Sequence, residues 1–261
     1  MLNKLLKHEF AATGRFLIPM YLILLVIALF DRLVINLDIF HGVLGVVPGF
    51  LTMAYIVSII AIIVVTFVLL VMRFYKNLLG EEGYLMFTLP VRTDHLITTK
   101  LISAMVWTFL SIIAVVASLL IAFASPDIMQ EIAEGFRQGY WELYDIFGGS
   151  LILMFIEFIL MILIGGAMNI LLVYVSIAVG QLFNGHRVLG AFLSYVGIYT
   201  VTQIVLSLII GIGGLFFRKP LEQIESVPHI VLPIALLVMA AVGAAYYFAI
   251  NYIFKKKLNL E

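Results

Sequence analysis

The chain of 261 residues is 64% apolar and only 11% charged, with a mean hydropathy of +1.19. An ordinary soluble domain is about half apolar and about a quarter charged, so this composition indicates an integral membrane protein. The formal net charge of zero argues against nucleic acid as a partner, and the absence of cysteine excludes disulfides and thiolate metal sites.

Six apolar stretches are each long enough to cross a membrane. A helix of about 20 residues spans the roughly 30 Å hydrocarbon core of a bilayer, and it satisfies its backbone hydrogen bonds internally. We therefore predict an all-α membrane protein that forms a single transmembrane domain over residues 1–261. The six predicted spans lie at about residues 16–35, 48–72, 98–124, 149–181, 188–215 and 230–254.

Residues 1–15 have the pattern of an amphipathic helix that lies flat at the membrane interface and ends at Gly14. The alternative is that they form the first turns of the first span. The apolar run that follows ends in Asp31-Arg32 and not in the small residues of a cleavage site, so we predict a retained span and not a signal peptide. The apolar side chains at helical spacing in the interfacial helix are Leu2, Leu5, Leu6 and Phe10.

The distribution of basic residues predicts the orientation of the chain. With both termini on one side, that side holds 11 of the 15 lysines and arginines, and the opposite side holds 4. Basic residues are enriched in cytoplasmic loops. We therefore expect a multi-pass protein of the plasma membrane whose termini and 73–100 loop are cytoplasmic, with extracellular loops at 125–148 and 216–229.

The 73–100 loop places the stretch GEEGYLMFTLPVRTDH between two apolar spans. Its first half predicts a short helix over 76–88, and Leu89-Pro90 then imposes an extended step, because the residue before proline avoids helical geometry. Thr93 or Asp94 is suited to cap the next helix. Such a cytoplasmic helix is able to pass force from a docked motor domain to the membrane helices. The alternative is an ordinary solvated loop with interfacial anchoring.

Residues 125–148 predict an amphipathic helix on the external side. Ser125 is suited to be its N-cap, and Pro126 occupies the first helical position. Amphipathic helices with aromatic residues at one end are typical of the membrane–water interface. The predicted apolar face comprises Ile128, Met129, Ile132 and Phe136, and the predicted aromatic belt comprises Tyr140, Trp141 and Tyr144.

Glu157, in the fourth span, is the clearest intramembrane ionisable residue. It either lines a substrate path or fixes helix packing as a protonated or paired side chain. Asn169, Gln203 and Asn251 are predicted interhelical hydrogen-bond sites. A secondary transporter usually needs several midplane charges, so one glutamate suggests that the energy for any transport enters from another subunit.

The stretch GQLFNGHR at 180–187 lacks the Lys-Ser/Thr of a phosphate-binding loop, and it follows a membrane helix where such a loop would follow a strand. No histidine pair has metal-ligand spacing, and no span carries the residues of an intramembrane protease. We therefore expect no enzymatic site, cofactor or metal in this chain.

Clustered glycines and two prolines over 211–229 predict that the second external segment bends or re-enters the membrane.

The loop after the second span contains the motif G-x-x-G-x-x-x-x-x-LPV...K. The residues that carry it are Gly80, Glu82, Gly83, Leu89, Pro90, Val91 and Lys100. With six spans and an amphipathic N-terminus, the chain resembles the membrane subunit of type 2 ATP-binding-cassette exporters. The start KHEFAATGRFLIPMYLILL and the small size are also similar to bacterial permeases that export cytolytic peptides, the phenol-soluble modulin exporters.

The resemblance implies a homodimer, or a heterodimer with a sister permease, bound to two separate ATPase subunits that hold ATP and Mg²⁺. It implies that the 73–100 loop forms a coupling helix, that the N-terminal helix is a connecting helix, and that 211–229 corresponds to re-entrant external helices. The coupling residues are then Gly80, Glu81, Glu82, Gly83, Tyr84, Leu85, Phe87, Leu89 and Pro90.

The cargo is less well specified than the architecture. The Phe- and Met-rich interior with few charges favours amphipathic peptides over sugar polymers, and a drug, a lipid or an ion is the alternative cargo. A membrane scaffold or immunity protein that sequesters a peptide without pumping is the alternative function. A passive channel is less favoured, because no ring-forming charged filter is visible.

Overall fold

The computed structural model describes residues 2–37, 46–79, 93–183, 185–216 and 227–256. Within these ranges the chain is helical apart from short turns, and no strand occurs among them. Six helices are long and apolar enough to cross a membrane. The predicted all-α architecture with six transmembrane helices is therefore confirmed.

Seven long helices follow one another in the described part of the chain. They are α1 (Leu2–Leu37), α2 (Val47–Leu79), α3 (Thr93–Phe123), α4 (Pro126–Phe147), α5 (Leu151–Gly180), α6 (Arg187–Phe216) and α7 (Leu232–Lys256). A 3-10 turn, Gly148–Ser150, links α4 to α5, and a π-helical turn, Val227–Val231, precedes α7.

The first helix is longer than predicted. α1 is continuous through Gly14, so the prediction that a separate interfacial helix ends there is wrong. A Cβ atom at Gly14 would lie 3.1 Å from the Trp107 ring, so the missing side chain makes room for a tryptophan of α3 and does not end a helix. The predicted amphipathic pattern is present in this first part of α1. The half-buried side chains are Leu2, Leu5, Leu6 and Phe10, whereas the exposed ones include Lys4 and Lys7.

The amphipathic helix predicted over 125–148 is present as α4. Its start follows the predicted cap, because the Ile128 amide donates to Ser125 Oγ at 3.2 Å. None of its residues is buried. The aromatic side chains near its end form a cluster in which the ring centroids of Trp141 lie 5.6 Å from Tyr140 and 5.9 Å from Tyr144. Gly148, with a φ of +51°, then turns the chain into α5.

The clustered glycines that begin at Gly211 do not end the helix of the fifth span. α6 continues through Gly211 as far as Phe216. Residues 217–226 lie outside the described part of the chain, so the bend predicted over 211–229 stays a prediction there.

The chain divides into two compact units. Unit 1 comprises Met1–Arg73 and Thr98–Gly135, and unit 2 comprises Phe74–Ile97 and Phe136–Glu261. One apolar cluster in the core of unit 1 comprises the buried side chains Leu24, Ala28, Tyr55, Ile62 and Ala122.

Buried hydroxyl groups link the helices of unit 1. Tyr21 on α1 shares a 2.7 Å hydrogen bond with Ser111 on α3, and Ser111 Oγ lies 3.1 Å from Thr66 Oγ1 on α2. Tyr55 on α2 and Ser118 on α3 form another pair at 3.0 Å. Lipid tails offer polar groups no partner, so these hydroxyls are satisfied between helices.

In unit 2, α5 packs closely against α6 and α7. Gly180 at the end of α5 lies against the backbone of Ala191 on α6, where a Cβ atom would lie 2.5 Å from the Ala191 Cα. Thr202 on α6 and Tyr246 on α7 share a 2.6 Å hydrogen bond. Small residues at such contacts let membrane helices approach one another.

We predict that Gly180→Ala destabilises unit 2 by about 1–3 kcal/mol, because the new methyl group would lie 2.5 Å from backbone atoms of Ala191 and a helix backbone would have to shift. The matched control is Gly197→Ala on α6, where nothing lies within 4 Å of the added Cβ and helix propensity predicts a gain of up to about 1 kcal/mol. Thermal unfolding in detergent, followed by circular dichroism, measures both. Equal effects of the two substitutions would contradict the close packing of α5 on α6.

Candidate functional site

The residues predicted to couple the chain to an ATPase lie outside the described part of the structure. All nine fall within 80–92: Gly80, Glu81, Glu82, Gly83, Tyr84, Leu85, Phe87, Leu89 and Pro90. Their roles stay predictions. What the structure does describe is the chain on either side of this segment, the end of α2 and the start of α3.

In unit 1, both flanks of the 80–92 segment are bound to the same stretch of α1. Lys100 on α3 donates to Glu9 Oε1 at 2.5 Å. Arg73 on α2 donates to Thr13 Oγ1 at 2.5 Å and to the Glu9 carbonyl oxygen at 3.3 Å, and its guanidinium lies 4.0 Å from Glu9 Oε2. We call Glu9, Thr13, Arg73 and Lys100 the stem cluster.

Helix geometry places these four side chains together. Glu9 and Thr13 are four residues apart, so they project from the same face of α1. Arg73 precedes the 80–92 segment by about two helical turns, and Lys100 follows it by about two turns. Arg73 of α2 and Lys100 of α3 therefore meet α1 at about the same level along its axis.

Three members of the stem cluster, Glu9, Thr13 and Lys100, are buried, and the carboxylate of Glu9 is paired with the ammonium group of Lys100. Glu9 is 8% exposed and Lys100 is 5% exposed. Removing a carboxylate or an ammonium group from water is costly unless the two charges are paired and hydrogen-bonded. Pairing satisfies this requirement, and it makes the position of α3 depend on the position of α1.

Unit 2 holds a second group of contacts with the chain around the 80–92 segment. Asp94, in the first turn of α3, accepts a hydrogen bond from Asn251 Nδ2 of α7, and Lys255 Nζ lies 3.5 Å from the same carboxylate oxygen. Tyr247 donates to the Asp94 carbonyl oxygen at 3.2 Å. The start of α3 is thus anchored to α7.

The end of α2 is also anchored within unit 2. The ring of Phe74 stacks on the ring of Tyr174 from α5 at a centroid distance of 3.7 Å, and it lies 6.1 Å from the ring of Phe254 on α7. Phe74 and Tyr174 are both buried. Aromatic contacts of this kind add to the apolar burial and fix the orientation of the helix end.

The other polar side chains singled out in the sequence have different surroundings. Asn251 makes the predicted interhelical hydrogen bond, with Asp94, whereas Asn169 donates to the Gly165 carbonyl of its own helix. Glu157 is 6% exposed, and its Oε2 atom has no hydrogen-bond partner in the part of the chain that the structure describes. Both interpretations of Glu157, substrate path and helix packing, stay predictions.

Sequence reasoning missed the stem cluster and the burial of Asp31. Asp31 is 1% exposed and accepts a hydrogen bond from Thr52 Oγ1 at 3.0 Å. A signal was present, because the polar residues of α1 that make these interhelical contacts recur on one helical face among apolar neighbours. They are Glu9, Thr13, Tyr21 and Asp31.

We predict that Glu9→Leu destabilises the protein by about 3–5 kcal/mol, because it leaves the ammonium group of Lys100 buried without its carboxylate. The double variant Glu9→Leu with Lys100→Met should recover most of this loss, since it removes both charges and keeps apolar volume. Unfolding by denaturant in mixed micelles measures the three proteins.

Gln130→Ala on α4 serves as the control for this series. It removes an exposed hydrogen bond to Glu134 and should change the free energy of unfolding by less than about 0.5 kcal/mol. A double variant as unstable as Glu9→Leu alone would contradict a stabilising ion pair at this position.

The described helices and their contacts establish a multi-pass helical membrane protein. A scan against protein-family models found no match, and neither did searches of curated proteins and of solved structures.

Proposed function

We propose that this chain is the membrane-spanning subunit of an ATP-driven exporter whose energy comes from a separate ATPase subunit on the cytoplasmic side. The observation that supports the proposal most is the stem cluster. Through it, the residues on both sides of the 80–92 segment are bound to one carboxylate-bearing stretch of α1. A displacement of that segment is therefore passed to α1, α2 and α3 of unit 1 together.

The buried ion pair between Glu9 and Lys100 is strong enough to transmit movement from one helix to another. A buried ion pair between two helices is rigid, because breaking it leaves an uncompensated charge out of water. An exposed ion pair would contribute at most about 1 kcal/mol to the free energy of unfolding, and it would break when one helix is displaced. The burial of Glu9 and Lys100 therefore makes the part of α3 around Lys100 follow the first turns of α1.

The distribution of ionisable groups suggests that the energy for transport comes from another subunit. Secondary transporters bind their coupling ions with several charged or polar groups near the middle of the membrane. In the described spans, the buried acidic side chains are Glu9, Asp31 and Glu157, and Glu9 is already paired with Lys100. The chain also lacks a phosphate-binding loop of its own, since 180–187 has His-Arg where such a loop needs Lys-Ser/Thr.

In the proposed complex, the 80–92 segment docks into a groove of the ATPase. Glu81 and Glu82 provide the charge that selects a basic rim, and Tyr84 and Phe87 provide apolar side chains that fill the groove. Pro90 provides the extended step that returns the chain to α3. Two permeases, identical or sister chains, bind two ATPases, and closure of the ATPases rocks the permeases so that the central path opens outward.

The proposed cargo is an amphipathic peptide or a similar amphiphile. The spans have few charges and many Phe and Met side chains, and such surfaces adapt to apolar faces of varied shape. A sugar polymer would need many polar groups and aromatic platforms. A drug, a lipid or an ion is the alternative cargo of the same machine.

We predict that the double variant Glu81→Lys with Glu82→Lys loses its ATPase. Reversing both charges places like charges against the basic rim, which costs several kcal/mol, so the ATPase recovered should fall at least about tenfold. The measurement is affinity purification from detergent-solubilised membranes, with the bound subunit identified by mass spectrometry and its ATP hydrolysis measured with and without candidate peptides.

The matched control is Glu131→Lys with Glu134→Lys, which reverses two exposed acids of α4. This control should keep its ATPase, because α4 is predicted to lie on the external side. Unchanged ATPase binding and unchanged export in the Glu81/Glu82 variant would contradict the proposal. Wild-type protein that never recovers an ATPase would favour a peptide-sequestering scaffold.

A further inference from the structure

One face of α6 carries exposed polar side chains within the membrane. This helix contains the span Arg187–Ile209, and no residue between 191 and 209 is buried. Gln203 is one of the exposed residues. About 24 Å of helix precedes it and about 20 Å follows it, so its carboxamide lies well inside a hydrocarbon core that is about 30 Å thick.

Gln203 belongs to a ridge of polar side chains that are four residues apart. Residues at this spacing lie on the same side of a helix. Along the ridge, the rings of Tyr195 and Tyr199 stack at a centroid distance of 6.2 Å. We call the four side chains, all of them exposed, the α6 ridge: Tyr195, Tyr199, Gln203 and Ser207.

The contacts of α6 with its neighbours in unit 2 do not cover Gln203. Thr202 forms the hydrogen bond with Tyr246 of α7, and Ala191 lies against Gly180 of α5. Gln203 follows Thr202 by one residue, so it projects about 100° away from it around the helix axis. Its side chain is therefore exposed beside these two contacts.

Lipid tails do not satisfy the polar groups of such a face. The carboxamide of Gln203 has two hydrogens to donate and an oxygen that accepts, and each hydroxyl group of the ridge both donates and accepts. Hydrocarbon offers these groups no partner, so polar side chains in membrane spans face other helices or enclosed water. In both cases a protein surface has to cover the α6 ridge.

The α6 ridge is complementary to a second copy of itself. Each of its polar groups is both a donor and an acceptor, so like groups are able to pair. No residue between 188 and 216 is charged, so two copies meet without repulsion between like charges. In a two-fold symmetric contact, residues near the axis meet their own copies. Side chains four residues apart also fit between the matching ridges of an identical helix.

We propose that two identical copies of this chain associate in the membrane through the α6 ridge, with the carboxamides of the two copies of Gln203 hydrogen-bonded to each other. The inference deepens the proposed function, on which it rests for the joint action of two permeases. It names the surface through which they meet, and it identifies the partner as a second copy and not a sister chain.

Disulfide cross-linking of the full-length chain in membranes tests the contact. The chain has no cysteine, so an introduced cysteine pairs with its own copy or with another protein. Ser207→Cys lies one turn from Gln203, and a disulfide forms only where two Cα atoms lie within about 7 Å. We expect oxidation to join two chains of 29.2 kDa each, in a product that contains this chain alone by mass spectrometry.

Val205→Cys is the matched control, because Val205 is also exposed and lies about half a turn from Ser207. It should give at least about tenfold less of the joined product. Adding Gln203→Leu to Ser207→Cys should slow the joining by about threefold to about thirtyfold, the range expected for the loss of an interhelical hydrogen bond in a membrane. Gln203→Asn, which keeps a carboxamide, should slow it less.

Equal joining in Ser207→Cys and Val205→Cys would overturn the proposal, because the contact would then not select the ridge. Chains of Ser207→Cys that stay single, or that become joined to a different protein, would overturn it as well.

The same measurement in the Glu81→Lys, Glu82→Lys background separates this inference from the proposed function. A joined pair there, or in membranes from which no ATPase is recovered, supports the α6 contact even where the proposed function fails.

Discussion

The contact between Glu9 and Lys100 is the interaction on which the arrangement of unit 1 most depends. It joins the first turns of α1 to α3, it is buried on both sides, and Arg73 of α2 binds the same stretch of α1 through Thr13. The hydrophobic effect does little to bring helices together in lipid, because lipid tails are as apolar as the side chains. Polar contacts and close packing therefore determine which helices associate. The stem cluster makes that selection for three helices at once.

Polar side chains also join α1, α2 and α3 away from the stem cluster. Hydroxyl pairs at Tyr21 with Ser111 and at Tyr55 with Ser118 continue the polar contacts along the helices, and Asp31 with Thr52 lies towards their other ends. Each pair satisfies groups that lipid would leave without a partner. The face of α1 that carries these residues is therefore fixed against its neighbours, while the exposed side chains elsewhere on α1 are predominantly apolar from Phe16 onward.

Composition and apolar length were enough to predict the class of fold, because the thickness of a bilayer dictates how many apolar residues a spanning helix needs. The local signal Ser125-Pro126 was likewise enough to predict the start of α4. Gly14 was misinterpreted, since a glycine that admits the Trp107 ring has the same sequence signature as one that ends a helix. The pairing of Glu9 with Lys100 joins residues far apart in the chain, and no local pattern specifies which helix meets which.

The central claim is that the 80–92 segment faces the cytosol, where a partner that consumes ATP acts on it. The chain contains no cysteine, so a single introduced cysteine is the only thiol that a maleimide is able to label. Labelling of Glu82→Cys with a membrane-impermeant maleimide tests the claim, with Glu134→Cys on α4 as the counterpart. We expect Glu82→Cys to react in inverted vesicles and not in intact cells, and Glu134→Cys to react in intact cells. Reaction of Glu82→Cys in intact cells would contradict the account.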